Sequence, residues 1–316
     1  MAVFGLDQLV GRGAQGAGDG RSRLSTMSHH HHGAHGNHRH AGDSHEPNYA
    51  LPQILDLDAE ILDGPLSAVR ADIAVLADEP VRSILDLGAG TGTGTFGLLQ
   101  HFAGSHVVAV DGSTDMLEHL QRRAEHLGLA DRVTTVHADL DEGVPELDLV
   151  DLAWASGSLH HLADPDRSLV QVAAAIRPGG LLAIVELTGH PRFLTDGASG
   201  AAAEAKAHTL LAVDRTVDMP AMGSDWGARL ARAGLVVELD RPIVVDLPPP
   251  LPDVVGTYAF AVLTRIRGAV AERLGAADLD HLDRLLDGGP SDVRYRSDLY
   301  VRTKRQLLIA RRPASG

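Results

Sequence analysis

The sequence predicts an α/β fold, a doubly wound and mostly parallel sheet with helices on both faces, an antiparallel last strand and a helical insertion before it. Three observations predict it. Short apolar runs alternate with amphipathic stretches between residues 83 and 186, a glycine-rich turn follows the first run, and 316 residues at 44% apolar content can bury a substantial core. Alternation of this kind places parallel strands between two helical layers. The length suits one large domain or two ordinary ones.

The first elements follow in chain order. Residues 11–47 are Gly, Ser, Asp and His with almost no large apolar side chains, so little there offsets the entropy of ordering a backbone, and residues 1–47 are expected to be a disordered tail. His29, His30, His31, His32, His35, His38 and His40 form a histidine tract that could take up a divalent cation. A purification-tag remnant or a low-complexity tail explains it better, because histidine alone fixes no geometry. No metal site is assigned. Ile54, Leu55, Leu57, Ile61, Leu62, Leu66, Val69, Ile73 and Leu76 then recur at three- and four-residue spacing, which predicts one or two lead-in helices.

The core rhythm predicts a strand over 83–87, a helix over 93–101, a strand over 106–111 and a helix over 113–127. Strands over 132–138 and 149–154, a helix over 166–176 and a strand over 181–186 come next. Helices are expected over 201–213 and 225–233, then a strand over 235–247 interrupted by Pro242. After the breaker Pro248-Pro249-Pro250 come helical segments over 258–274 and 279–286 and a final strand over 299–310. The expected organisation is a core of 48–250 plus 299–312, with 251–298 as a helical insertion that caps a pocket or packs on the sheet.

Composition narrows the function. Acidic residues outnumber basic ones 42 to 28, a net charge of −14, which disfavours a grip on nucleic-acid phosphates. No apolar run approaches the roughly 20 residues of a membrane span, and residues 1–20 lack the pattern of a signal peptide. A soluble, cytoplasmic protein is expected, with no membrane or nucleic-acid partner; a homodimer stays open. The absence of cysteine excludes disulfides and thiol chemistry.

The glycine turn carries the chemistry. Gly88, Gly90 and Gly92 let the backbone bend sharply and approach a ligand, and the helix behind them offers unpaired N–H groups. Gly92-Thr93-Gly94-Thr95-Phe96-Gly97 also matches the dinucleotide pattern G-x-G-x-x-G, with Asp111 at the spacing of a ribose-binding acid, so an NAD(P)-dependent oxidoreductase is an alternative. Against it, the strand ends at Leu87, several residues before that pattern begins. Asp86, Asp111 and Asp139 close three successive strands, and their carboxylates would line one sheet edge, where a nucleoside ligand lies in open parallel sheets.

The stretches 84–92 (ILDLGAGTG), 108–113 with Met116 and Leu117, 137–140 (HADL), 152–161 (LAWASGSLHH) and 176–181 (IRPGGL) together resemble the Rossmann-like class I S-adenosylmethionine-dependent methyltransferases. The resemblance covers about residues 55–186 well and the rest in outline. Because no Asn-Pro-Pro-Tyr or Asp-Pro-Pro-Tyr stretch follows the fourth strand, a small-molecule methyl acceptor is expected, and the resemblance implies S-adenosyl-L-methionine as cofactor. It further implies that Gly88, Ala89, Gly90 and Gly92 pass near the methionine moiety, that Asp111, with Gly112 and Ser113 beside it, accepts hydrogen bonds from the ribose hydroxyls, and that Asp139 meets the adenine amine. Met116 and Leu140 would flank the ring or be ordinary core. Asp86 would hold the turn or reach the cofactor's amino group, and Ala155 would border the sulfonium. His160 and His161 are candidates for a general base or for strand-end packing, with His160 preferred as the base. Tyr258, Phe260, Trp226 and Tyr295 could stack on a planar acceptor or lie in the core. A non-catalytic cofactor- or metal-binding accessory protein is the remaining alternative.

Overall fold

In a computed structural model the fold is described for residues 50–219 and 221–314; the tail and its histidine tract lie outside the described residues. Seven strands form one sheet in the order β3-β2-β1-β4-β5-β7-β6. They are β1 (Ser83–Leu87), β2 (His106–Asp111), β3 (Val133–His137), β4 (Val150–Ser156), β5 (Ile176–Leu187), β6 (Val236–Leu247) and β7 (Val301–Arg311). The first five pair in parallel, and β7 runs antiparallel between β5 and β6. The expected sheet, including its antiparallel last strand, is the one found.

The strands are central or peripheral for reasons written in their side chains. In β1, Ile84, Leu85 and Leu87 are fully buried, each contributing about 1.5–3 kcal/mol of apolar transfer. By contrast, β6 largely alternates exposed with half-buried positions and forms the sheet edge. Pro242 does not interrupt it. An edge strand needs only one of its two hydrogen-bonding sides, so a residue without an N–H is accommodated there. The strand expected to begin at 181 begins at Ile176, which pairs with Val150 before the register shifts between Val150 and Leu152.

The helices are α1 (Leu51–Leu76), α2 (Thr93–His101), α3 (Thr114–His126), α4 (Pro165–Ala175), α5 (Ala201–Asp218), α6 (Trp226–Arg232), α7 (Asp253–Val270) and α8 (Ala276–Arg284). The lead-in segment is a single helix that runs through Pro65. Its inward stripe, with that of α2 and α3, packs on one sheet face beside Ile84, Val107 and Leu152, while α4 and α6 pack on the other beside Leu85, Ala153 and Leu182. A third apolar cluster joins α7 and α8 to α5 and to the first turns of α1. Thus 251–298 shares its core with α1 and α5.

Candidate active site

The carboxyl ends of β1 and β4 open into a cleft of about 620 Å³, roofed by α1 and lined by Asp58, Asp86, Gly88, Thr93, Trp154 and Arg305, among others. The turn beneath it depends on glycine. Gly88 sits at φ +66°, where L side chains are strained, and a Cβ there would stand 2.5 Å from the Ser158 Cβ. Gly94, in the first turn of α2, is equally constrained, since a Cβ would approach the Trp154 Nε1 to 2.5 Å.

Asp86 is buried at the cleft floor and accepts a hydrogen bond from the Thr95 hydroxyl at 2.6 Å. Burial pushes its carboxyl up to about 6, against the pull of that hydrogen bond. Asp111 closes β2 and is also buried. Its Oδ2 accepts the Gly90 N–H at 2.8 Å and its Oδ1 the Ser113 N–H at 2.9 Å, so this side chain ties the glycine turn to the start of α3. Each oxygen retains a second acceptor direction.

The remaining expected residues divide. Gly88, Ala89 and Asp86 line the cleft. Gly90 meets Asp111, and Gly92 caps α2 at φ +83°. Gly112 and Asp139 are exposed beyond β2 and β3, and Asp139 Oδ1 accepts the Asp141 N–H. Met116 and Leu140 are buried but fall in different apolar clusters. Ala155 is fully buried within the sheet, while its neighbour Ser156 lines the cleft. His160 is 1% exposed, with Nδ1 2.6 Å from Glu186 Oε2, and Glu186 Oε1 accepts the Leu159 N–H. His161 is half-buried, its ring 4.1 Å from that of His160. Gly94 and Gly97 of the dinucleotide pattern lie inside α2 and not in the turn, which removes the geometric basis of the oxidoreductase alternative.

Asp58 and Arg305, which sequence reasoning missed, line the far side of the cleft, and Tyr258, expected to stack on an acceptor or lie in the core, is in the core beside them. The Tyr258 hydroxyl of α7 donates to Asp58 Oδ1 at 2.6 Å, and Arg305 Nη2 of β7 donates to Asp58 Oδ2 at 2.6 Å; all three are buried. A signal existed: Asp58 interrupts the apolar stripe of Ile54, Leu55 and Leu62, and Arg305 sits on the inward phase of β7. Among the described residues, no cluster of three or more His, Cys, Asp or Glu side chains could hold a metal ion, and no helix is long and apolar enough to cross a membrane.

Residues 85–182 match the family described as "Methyltransferase domain", and the sheet order, the glycine turn after β1 and the acids at the ends of β1 and β2 agree with the resemblance to Rossmann-like methyltransferases. A demethylmenaquinone methyltransferase of Clavibacter sepedonicus is 39% identical over 108 residues, 34% of this chain and 42% of that protein. An uncharacterised methyltransferase of Mycobacterium tuberculosis (strain ATCC 25618 / H37Rv) is 40% identical over 104 residues, 33% of this chain and 39% of that one. The chain thus spans less than half the length of either relative. Among solved structures, the [4+2]-cyclase SpnF overlays with a TM-score of 0.49 and 16% identity, covering 84% of this chain and 94% of that one.

Proposed function

We propose that this chain transfers a methyl group from S-adenosyl-L-methionine to oxygen, nitrogen or carbon of a small-molecule acceptor by direct displacement. The observation that carries the reading is the cleft itself, a glycine turn and a buried carboxylate at the carboxyl ends of the two central strands. The donor supplies an electrophilic methyl on a sulfonium. The backbone of Gly88, Ala89, Gly90 and Gly92 lies alongside its methionine part, and Asp86 holds the ammonium. Asp111, flanked by Gly112 and Ser113, accepts from the ribose hydroxyls through its remaining acceptor directions. Asp139 meets the adenine amine, Met116 and Leu140 flank the ring, and Ser156, next to the buried Ala155, borders the sulfonium.

Alignment and proximity do most of the work in such a displacement. Where the nucleophile is a hydroxyl or an amine, its proton passes to the His160–His161 pair, whose orientation Glu186 sets.

The test is a thermal-shift series on the full chain with S-adenosylmethionine, S-adenosylhomocysteine and NAD, since a ligand that binds only the folded state raises its stability. The two adenosyl compounds should raise the melting temperature and NAD should not; stabilisation by NAD alone would overturn the reading. Asp111→Ala should weaken S-adenosylhomocysteine by about tenfold or more while the chain stays folded, the scale of lost charge-assisted hydrogen bonds. Label from methyl-labelled cofactor should enter a compound of a cell extract, which a non-catalytic accessory protein would not bring about.

A further inference from the structure

A second cleft, of about 690 Å³, opens at the carboxyl-terminal rim of the sheet where β5, β6 and β7 meet. Leu187 of β5 pairs with Arg305 of β7, and the residues just beyond that pair, Thr188 and Lys304, line the cleft. Thr303, two residues from Arg305 and on the same strand face, lines it too. One strand therefore serves both clefts.

The lining is cationic in a chain that is strongly acidic. Arg192, Arg302 and Lys304 line the cleft, and Lys304 is one of only two lysines in a sequence of net charge −14. Asp246 is the one carboxylate of the lining, and it already accepts from Arg302 Nε at 2.9 Å. Arg302 is held further by the Tyr300 ring, 4.3 Å from its guanidinium carbon. Arg192 Nε is buried and makes no hydrogen bond; Glu204 Oε2 stands 4.0 Å away. Glu204 is a weak counter-charge near neutrality, because burial pushes it up to about 7, against the pull of the Phe193 and Leu194 N–H groups and of Arg192. A buried donor left without an acceptor costs free energy comparable to a lost hydrogen bond, and an anionic oxygen would supply that acceptor.

We propose that this second cleft binds an anionic oxygen group, carboxylate or phosphate, carried by the methyl acceptor, with Arg192 and Lys304 as its principal ligands. The acceptor class is then a small organic acid or phosphate ester, drawn into an otherwise repelling protein by a local positive field. This assignment rests on the methyl-transfer reading.

The experiment is calorimetric titration of the full chain with inorganic phosphate and, separately, with malonate, at constant ionic strength against a chloride control. The expected result is saturable binding of at least one of the two, and the better ligand tells phosphate from carboxylate. Lys304→Glu, an exposed position, and Arg192→Gln should each weaken it about tenfold or more, the scale of a lost charge-assisted contact, and leave S-adenosylhomocysteine binding unchanged. Heats no larger than chloride, or equal affinity in both variants, overturn the proposal. Anion binding without S-adenosylhomocysteine binding would instead sink methyl transfer alone. If both bind, the labelled product from extract should be retained on an anion exchanger, and a neutral product would show that the cleft does not take the acceptor.

Discussion

Gly94 shows how a single missing side chain can shape a site. It lies inside α2, where glycine costs about 1 kcal/mol relative to alanine, so a bare helix would gain from substitution. Here the Cβ would press on the Trp154 indole beside the Asp86 carboxylate, whose Oδ2 is 3.3 Å from the same point. Gly94→Ala should therefore lower stability by about 1–3 kcal/mol, the usual cost of overpacking, and weaken S-adenosylhomocysteine more than it lowers the melting temperature. A variant that melts higher than the parent and binds equally would show that Trp154 yields freely.

At the level of elements, the cleft is closed by ties between parts of the chain distant in sequence. Arg123 of α3 donates to Asp56 of α1 at 2.6 Å and to the Thr91 carbonyl at 2.9 Å, fastening the helical roof to the glycine turn. On the far side, Asp58 links α1 to both α7 and β7. Breaking a buried pair by removing one partner costs about 3–5 kcal/mol because the other charge is stranded. Arg305→Met should fall in that range, whereas Tyr258→Phe, which removes one donor and leaves Arg305 in place, should cost about 1–3 kcal/mol. Chemical denaturation of both variants gives the comparison; equal and small losses would mean that Asp58 is solvated despite its burial.

For the whole molecule, the buried carboxylates give stability a defined pH course. The Asp86 carboxyl is raised from 3.8 unfolded to about 6 folded, so the native state holds a proton that the unfolded chain has released. Its contribution is complete below pH 3.8 and disappears as pH climbs through 6, a change on the order of 3 kcal/mol. Asp151 works the other way. Burial raises it, but the Arg177 guanidinium and the N–H groups of Arg82 and Ser83 prevail and hold it below its ordinary value. Its stabilisation is present above pH 3.8 and is lost as pH drops through the lowered value. Asp86→Asn does not titrate, so its disadvantage against the parent should shrink by on the order of 3 kcal/mol between pH 4 and pH 7 in paired denaturation curves. A disadvantage constant across that range would show that Asp86 titrates normally.

The alternation of strand and helix, the glycine turn and the acids closing β1 and β2 were legible in the residues, because each depends on local rules of backbone conformation and hydrophobic period. Asp86, Gly88 and Ala89 line one cleft for that reason. Local rules also misjudged Pro242, since whether a missing N–H matters depends on which strand lies at the edge, and strand order is not a local property. The linking of Tyr258 and Arg305 through Asp58, and the gathering of Arg192, Arg302 and Lys304 at one rim, lay beyond sequence reading. They come from segments that lie scores of residues apart, and only the folded sheet, by setting β7 between β5 and β6 beneath α1 and α7, brings those groups within reach of one another.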